Sequence, residues 1–170
     1  MKKLTKPFLV LICSALIICL ALAVYTGVSR RRHWRDKFSQ YEPSCTAVSE
    51  YILGITPSGG EYYLQDTGGG YVLINKGENG RAETGLPPDI QADMADLEQA
   101  FYKMTHRYGL EWISVSDDCV IYSEMSYGGC LIYCRDGKLD RDIKDQRVTE
   151  GYQRLIRLDD RWYSVHIRLR

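Results

Sequence analysis

Phe8-Leu-Val-Leu-Ile-Cys-Ser-Ala-Leu-Ile-Ile-Cys-Leu-Ala-Leu-Ala-Val-Tyr-Thr-Gly-Val28 contains no charged residue. As a helix rising ~1.5 Å per residue it is roughly 30 Å long, the thickness of a bilayer's hydrocarbon core. This stretch divides the chain. Residues 1–7 form a basic tail, 8–28 a membrane span, 29–43 a juxtamembrane stalk and 44–170 a polar segment suited to a folded domain. The lipid bilayer is therefore the one partner expected from these residues, met through 8–28.

Lys2, Lys3 and Lys6 precede the span, and Arg30, Arg31, Arg32 and Arg35 follow it. Both ends suit lipid headgroups, but the two basic flanks favour opposite orientations. The very short tail predicts a signal anchor with its N-terminus in the cytoplasm and its domain outside. The arginines argue for the reverse, a domain tethered inside as a regulatory module. A cleaved signal peptide would use Ala21-Leu22-Ala23 as its small-residue site. Against cleavage, apolar residues continue to Val28, and four arginines follow closely. Ile12 and Ile18, before Cys13 and Cys19, occupy places where a lipid-anchor signal needs a small residue. The retained anchor is the expectation.

The stalk carries Trp34, Phe38 and Tyr41 near helical spacing. It reads as an extension of the span helix with interfacial aromatics. Beyond it lie about 130 residues, enough for one domain with its own core. Lys and Arg number 22, and so do Asp and Glu; this balance excludes the basic excess expected of a nucleic-acid binder.

Within the domain, Ile90, Met94, Leu97, Phe101, Met104 and Tyr108 recur at steps of three and four. They predict an amphipathic helix over about 89–108. Asp89, Asp93 and Asp96 fall early and Lys103, His106 and Arg107 late, which suits the helix dipole. A shorter helix is predicted over about 44–53, with Ala47, Val48, Tyr51 and Ile52 on one face. The remaining segments read as antiparallel strands. Glu61–Asp66 and Tyr71–Asn75 flank Thr67-Gly68-Gly69-Gly70 as a hairpin. Leu110–Val115, Cys119–Met125 and Cys130–Cys134 follow. Tyr152–Leu158 and Trp162–Leu169 close the chain about Asp159-Asp160, with the Tyr163-Val165-Ile167-Leu169 face buried. Lys76–Pro88 reads as loop and Lys138–Thr149 as an exposed excursion. Helices on an antiparallel sheet define a two-layer α+β domain.

The chemistry-bearing residues are sparse. Cys45, Cys119, Cys130 and Cys134 are compatible with disulfides in an exported domain. Cys130 and Cys134 on one strand would be ~13 Å apart, beyond disulfide reach. Cys119, on the neighbouring strand, could meet Cys134 if the register allows, so Cys119 and Cys134 form the candidate disulfide. A zinc site would need tighter paired spacing and a fourth ligand. His33, His106 and His166 are scattered, and Ser164 beside His166 lacks a nucleophile elbow. Gly54-Ile-Thr-Pro-Ser-Gly59 has the glycine spacing of a phosphate loop but Gly60-Glu61 where Lys-Ser/Thr is required. Asp117-Asp118 and Asp159-Asp160 suit turns. Among the strand aromatics, Tyr122, Tyr133 and Trp162 are the candidate ligand platform, with packing as the simpler role.

No catalytic residue, metal ligand or cofactor is assigned. The functional expectation is a membrane-anchored binding or interaction module of unknown protein or ligand partner. The alternatives are a thiol- or hydrolase-type enzyme of the cell envelope and the cytoplasm-facing regulatory module.

Overall fold

A computed structural model of the chain describes residues 6–56, 59–76, 83–105, 109–123, 129–139 and 152–167. Helix α1 (Lys6–Phe38) contains the apolar run and continues into the stalk as far as Phe38, where residues 39–41 turn the chain. Within it, Ile12–Ser29 is long and apolar enough to cross a membrane, and none of it is buried by the rest of the chain. Helix α2 (Glu42–Ile55) starts two residues before the predicted helix, with Pro43 in its first turn. Helix α3 (Pro88–Thr105) is the predicted amphipathic helix. Its stripe Ile90, Met94, Leu97, Phe101 and Met104 is buried. His106, Arg107 and Tyr108 lie outside the described residues.

Among the described residues eight strands form one sheet: β1 (Glu61–Asp66), β2 (Tyr71–Asn75), β3 (Glu83–Gly85), β4 (Trp112–Ser116), β5 (Cys119–Ser123), β6 (Gly129–Cys134), β7 (Tyr152–Arg157) and β8 (Trp162–Ile167). Their order is β3-β2-β1-β4-β5-β6-β8-β7, with every neighbouring pair antiparallel. The α+β architecture is thus a helical layer on an antiparallel sheet. Strand β3 falls within the stretch expected to be loop, since Glu83-Thr84-Gly85 pairs with Val72, Leu73 and Ile74. Three residues at a sheet edge carry too little pattern to stand out from a glycine- and proline-rich sequence.

Period-two alternation sends Tyr62, Leu73, Ile113, Val120, Tyr122, Leu131, Tyr133 and Trp162 to the face beneath the helices, in one core. On the opposite face, Cys119, Ile121, Cys130, Ile132, Cys134, Tyr163 and Val165 form a second buried cluster. Strand β8 is therefore buried on both faces along Trp162–Val165, not on the Tyr163-Val165 face alone. The helical layer covers the Trp162 side, and the cluster around Cys119 and Cys134, with Leu139 packed against it, covers the Tyr163-Val165 side. The β4–β5 turn is the expected Asp117-Asp118, with Asp117 at φ 47°. Aspartate tolerates that left-handed conformation better than most side chains, and two-residue hairpins require it.

The stalk differs most from expectation. Phe38 is 1% exposed and Tyr41 7%, and both belong to the domain core. Phe38 packs on Trp162 with ring centroids 5.2 Å apart. Lys103 Nζ sits 4.7 Å from the Tyr41 ring centroid and donates to its hydroxyl. These aromatics seat the end of α1 in the globule instead of in headgroups, because the domain offers them a drier surface.

Candidate functional site

Cys119 and Cys134 are directly opposite one another in the β5–β6 register. Their Cα atoms are 4.2 Å apart and they are joined by a disulfide. The flanking Arg135 N–H donates to the Asp118 carbonyl at 2.9 Å. This makes the outer pair the hydrogen-bonded one and leaves the cysteines at the closer, non-hydrogen-bonded position. Cys130 faces Ser123 four pairs further along, buried in the same cluster. Cys45 lies under the other face, on α2. Burial, reinforced by the charges of Asp96, Glu42 and Asp93, pushes its thiol far above the ordinary range. A thiol so raised stays protonated at neutral pH and is inert as a nucleophile.

Tyr122, Tyr133 and Trp162 do come together. Trp162 lies 6.2 Å from Tyr122 and 5.1 Å from Tyr133, centroid to centroid. All three residues are 0% exposed, so they form the centre of the core and present no open stacking surface. Their polar tips are satisfied there. The Trp162 indole N–H donates to Thr46 Oγ1 at 3.1 Å. Ser49 Oγ donates to the Cys45 carbonyl at 2.8 Å, which leaves it to accept the Tyr122 O–H at 2.7 Å. Burial drives the Tyr122 phenol well above its ordinary pKa, so it remains a donor.

Two polar assemblies that no sequence pattern announced lie nearer the surface. The first joins α2 to the sheet. Arg135 grips Glu50 through Nε at 3.0 Å and Nη2 at 2.8 Å, and reaches Asp118 at 3.7 Å. The Tyr133 hydroxyl donates to Glu50 Oε1 and accepts from Arg161 at 3.1 Å, while Arg161 lies 3.8 Å from Glu42. Burial alone would raise the Glu50 carboxyl. The hydrogen bonds from Arg135 and Tyr133, with the charges of Arg135 and Arg161, bring it below its ordinary value. Burial and the Glu50 carboxylate push the Tyr133 phenol up to about 12. The set is a closed ion-pair network: each carboxylate oxygen and guanidinium named here points at another member. Glu50 and Arg135 are 85 residues apart, so only the folded sheet brings them together.

The second assembly lies on the opposite sheet face. Ile74, Tyr63 and Trp112 form one row across β2, β1 and β4, all half-buried. Tyr63 meets Trp112 edge-on at 5.2 Å. Lys76 Nζ lies 3.6 Å from the Trp112 centroid and 3.3 Å from Glu61. The cation and carboxylate satisfy one another, and the aromatic row is a cross-strand packing unit.

His33 and His166 fall in α1 and β8, on different parts of the fold, and His106 lies outside the described residues. Asp159-Asp160 turns the β7–β8 hairpin, where Arg157 binds the Asp159 and Asp160 carbonyls. Gly68 and Gly70 supply the positive φ of the β1–β2 turn. Residues 57–58 of the glycine-spaced segment lie outside the described residues. Among the described residues no group of three His, Cys, Asp or Glu side chains is placed to hold a metal ion. Comparison with known proteins finds no matching family model, curated protein or solved structure.

Proposed function

We propose that this chain is a single-pass membrane protein that displays a small α+β binding module on the outer side of the membrane. The observation that carries this reading is the contrast within α1. Ile12–Ser29 is wholly uncovered, whereas Phe38, in the same helix, is seated in the core. An apolar rod of that length left bare in water is an aggregation liability, and lipid is the solvent that removes it. The Cys119–Cys134 disulfide supports an oxidising, extracytoplasmic location. Binding is favoured over thiol or hydrolase chemistry because Cys45 is held protonated, Cys119 and Cys134 are joined, and the Glu50–Arg135 set is occupied with itself.

A cytoplasm-facing regulatory module is the second reading, favoured by Arg30, Arg31, Arg32 and Arg35 on the domain side of the span. Alkaline carbonate extraction followed by protease shaving of intact cells separates these readings. A carbonate-resistant protein whose domain is cut from outside supports the proposal. Protection until the cells are opened, with Cys119 and Cys134 reduced, supports the second reading. A soluble product whose intact mass lacks residues 1–23 refutes both.

A further inference from the structure

The membrane-anchor reading leaves the junction between span and domain unexplained. We propose that Ser29–Phe38 is a rigid basic collar that selects anionic phospholipid headgroups in the leaflet facing the domain. This rests on the anchored reading and adds a specific lipid partner to it. Arg30, Arg31, Arg32, Arg35 and Lys37 are set against a single carboxylate, Asp36. The segment is continuous helix. At 3.6 residues per turn, the Cα positions of these cations spread over about 220° of the helix circumference. A cationic face meant to dock on a protein would be confined to one narrow side; so wide an arc suits headgroups that surround a spanning helix.

The geometry limits where the collar can go. From Ser29 to Phe38 the helix rises ~14 Å. A headgroup layer takes up roughly 5–7 Å of that on each side of a bilayer. Phe38 is already in the domain core, its ring tilted against Trp162 at 5.2 Å between centroids, and Tyr41 is held by Lys103. The domain therefore starts just above the headgroups, with no break in the helix among these residues, and the collar's backbone stays at headgroup depth. Zwitterionic lipids offer phosphate already neutralised by their own ammonium, so net-anionic lipids are the class that complements the charge. This also reconciles the arginines with an outward-facing domain, since anionic lipid in that leaflet retains them.

The test uses the full chain reconstituted in phosphatidylcholine bilayers containing a minority of phosphatidylglycerol. Spin-labelled lipids report the relative association of each headgroup with the protein. A cation near an anionic surface contributes about fivefold in association. The wild type should therefore prefer the phosphatidylglycerol label several-fold, and salt should weaken that preference. The variant R30Q/R31Q/R32Q/R35Q should lose most of it, and R30K/R31K/R32K/R35K should retain it. Equal association of both labels with the wild type, or a preference indifferent to salt and to the glutamine variant, overturns the collar. Carbonate resistance is measured on the same samples. A resistant protein without lipid preference sinks the collar alone, and an extractable one sinks the anchor and the collar together. The salt titration of the wild type needs no variant, so misfolding of a substituted chain leaves the test intact.

Discussion

Phe38→Ala tests whether α1 is truly part of the domain. Phe38 is 1% exposed and lies 5.2 Å from Trp162, centroid to centroid. Burying a phenylalanine side chain contributes roughly 1.5–3 kcal/mol. The aromatic pair adds about 0.5–1.5 kcal/mol. Large-to-small changes at phenylalanine cost about 3–5 kcal/mol when the cavity persists. With part of the cavity closing as neighbours relax, about 3 kcal/mol, the low end of that range, is the expected loss. The assay is urea unfolding of the full chain in mild nonionic detergent, followed by near-ultraviolet circular dichroism. That signal reports the packed aromatics, whereas the span stays helical in detergent and would mask a far-ultraviolet reading. Phe38→Leu should recover most of the loss. A change below about 1 kcal/mol in a cooperative transition would refute the reasoning and return Phe38 to the headgroup role that its sequence position suggested.

Three further outcomes follow from the core and its polar links. Ser49→Ala strands the Tyr122 hydroxyl at a fully buried site and should cost about 1–3 kcal/mol, while Tyr122→Phe should cost about 1 kcal/mol. In a double-mutant cycle read by urea unfolding, the double variant should fall short of the sum; strict additivity would deny the hydrogen bond. Alkylation under denaturing, non-reducing conditions should modify four cysteines, and all six after reduction. Opening the bridge, which spans 15 residues, should remove about 3 kcal/mol of stability. The Glu50 carboxyl titrates below its ordinary 4.5 in the folded state. Its contribution is therefore complete above that value and lost as pH falls through the lower folded one. Stability measured across this acidic window should drop in the wild type and drop less in Glu50→Gln; equal slopes would mean that solvent screens the pair completely.

The membrane-length rod, the stripe on α3 and the hairpin segments were legible in the linear chain because each is a local regularity. A run free of charge shows itself, a three-and-four spacing marks one side of a helix, and alternation about glycine or Asp-Asp marks paired strands. The possible meeting of Cys119 with Cys134 was legible for the same reason, through one short turn. The roles of Phe38, Tyr41, Tyr122, Tyr133 and Trp162 were not. An aromatic residue serves equally well at a lipid interface, on a binding surface or in a core, and nothing adjacent to it says which. The helices α2 and α3, laid over one sheet face, decided that all five belong to the core. The Glu50–Tyr133–Arg135–Arg161 network likewise exists only after α2 is laid on the sheet, because ion pairs are made by proximity in space and leave no periodic trace along the chain.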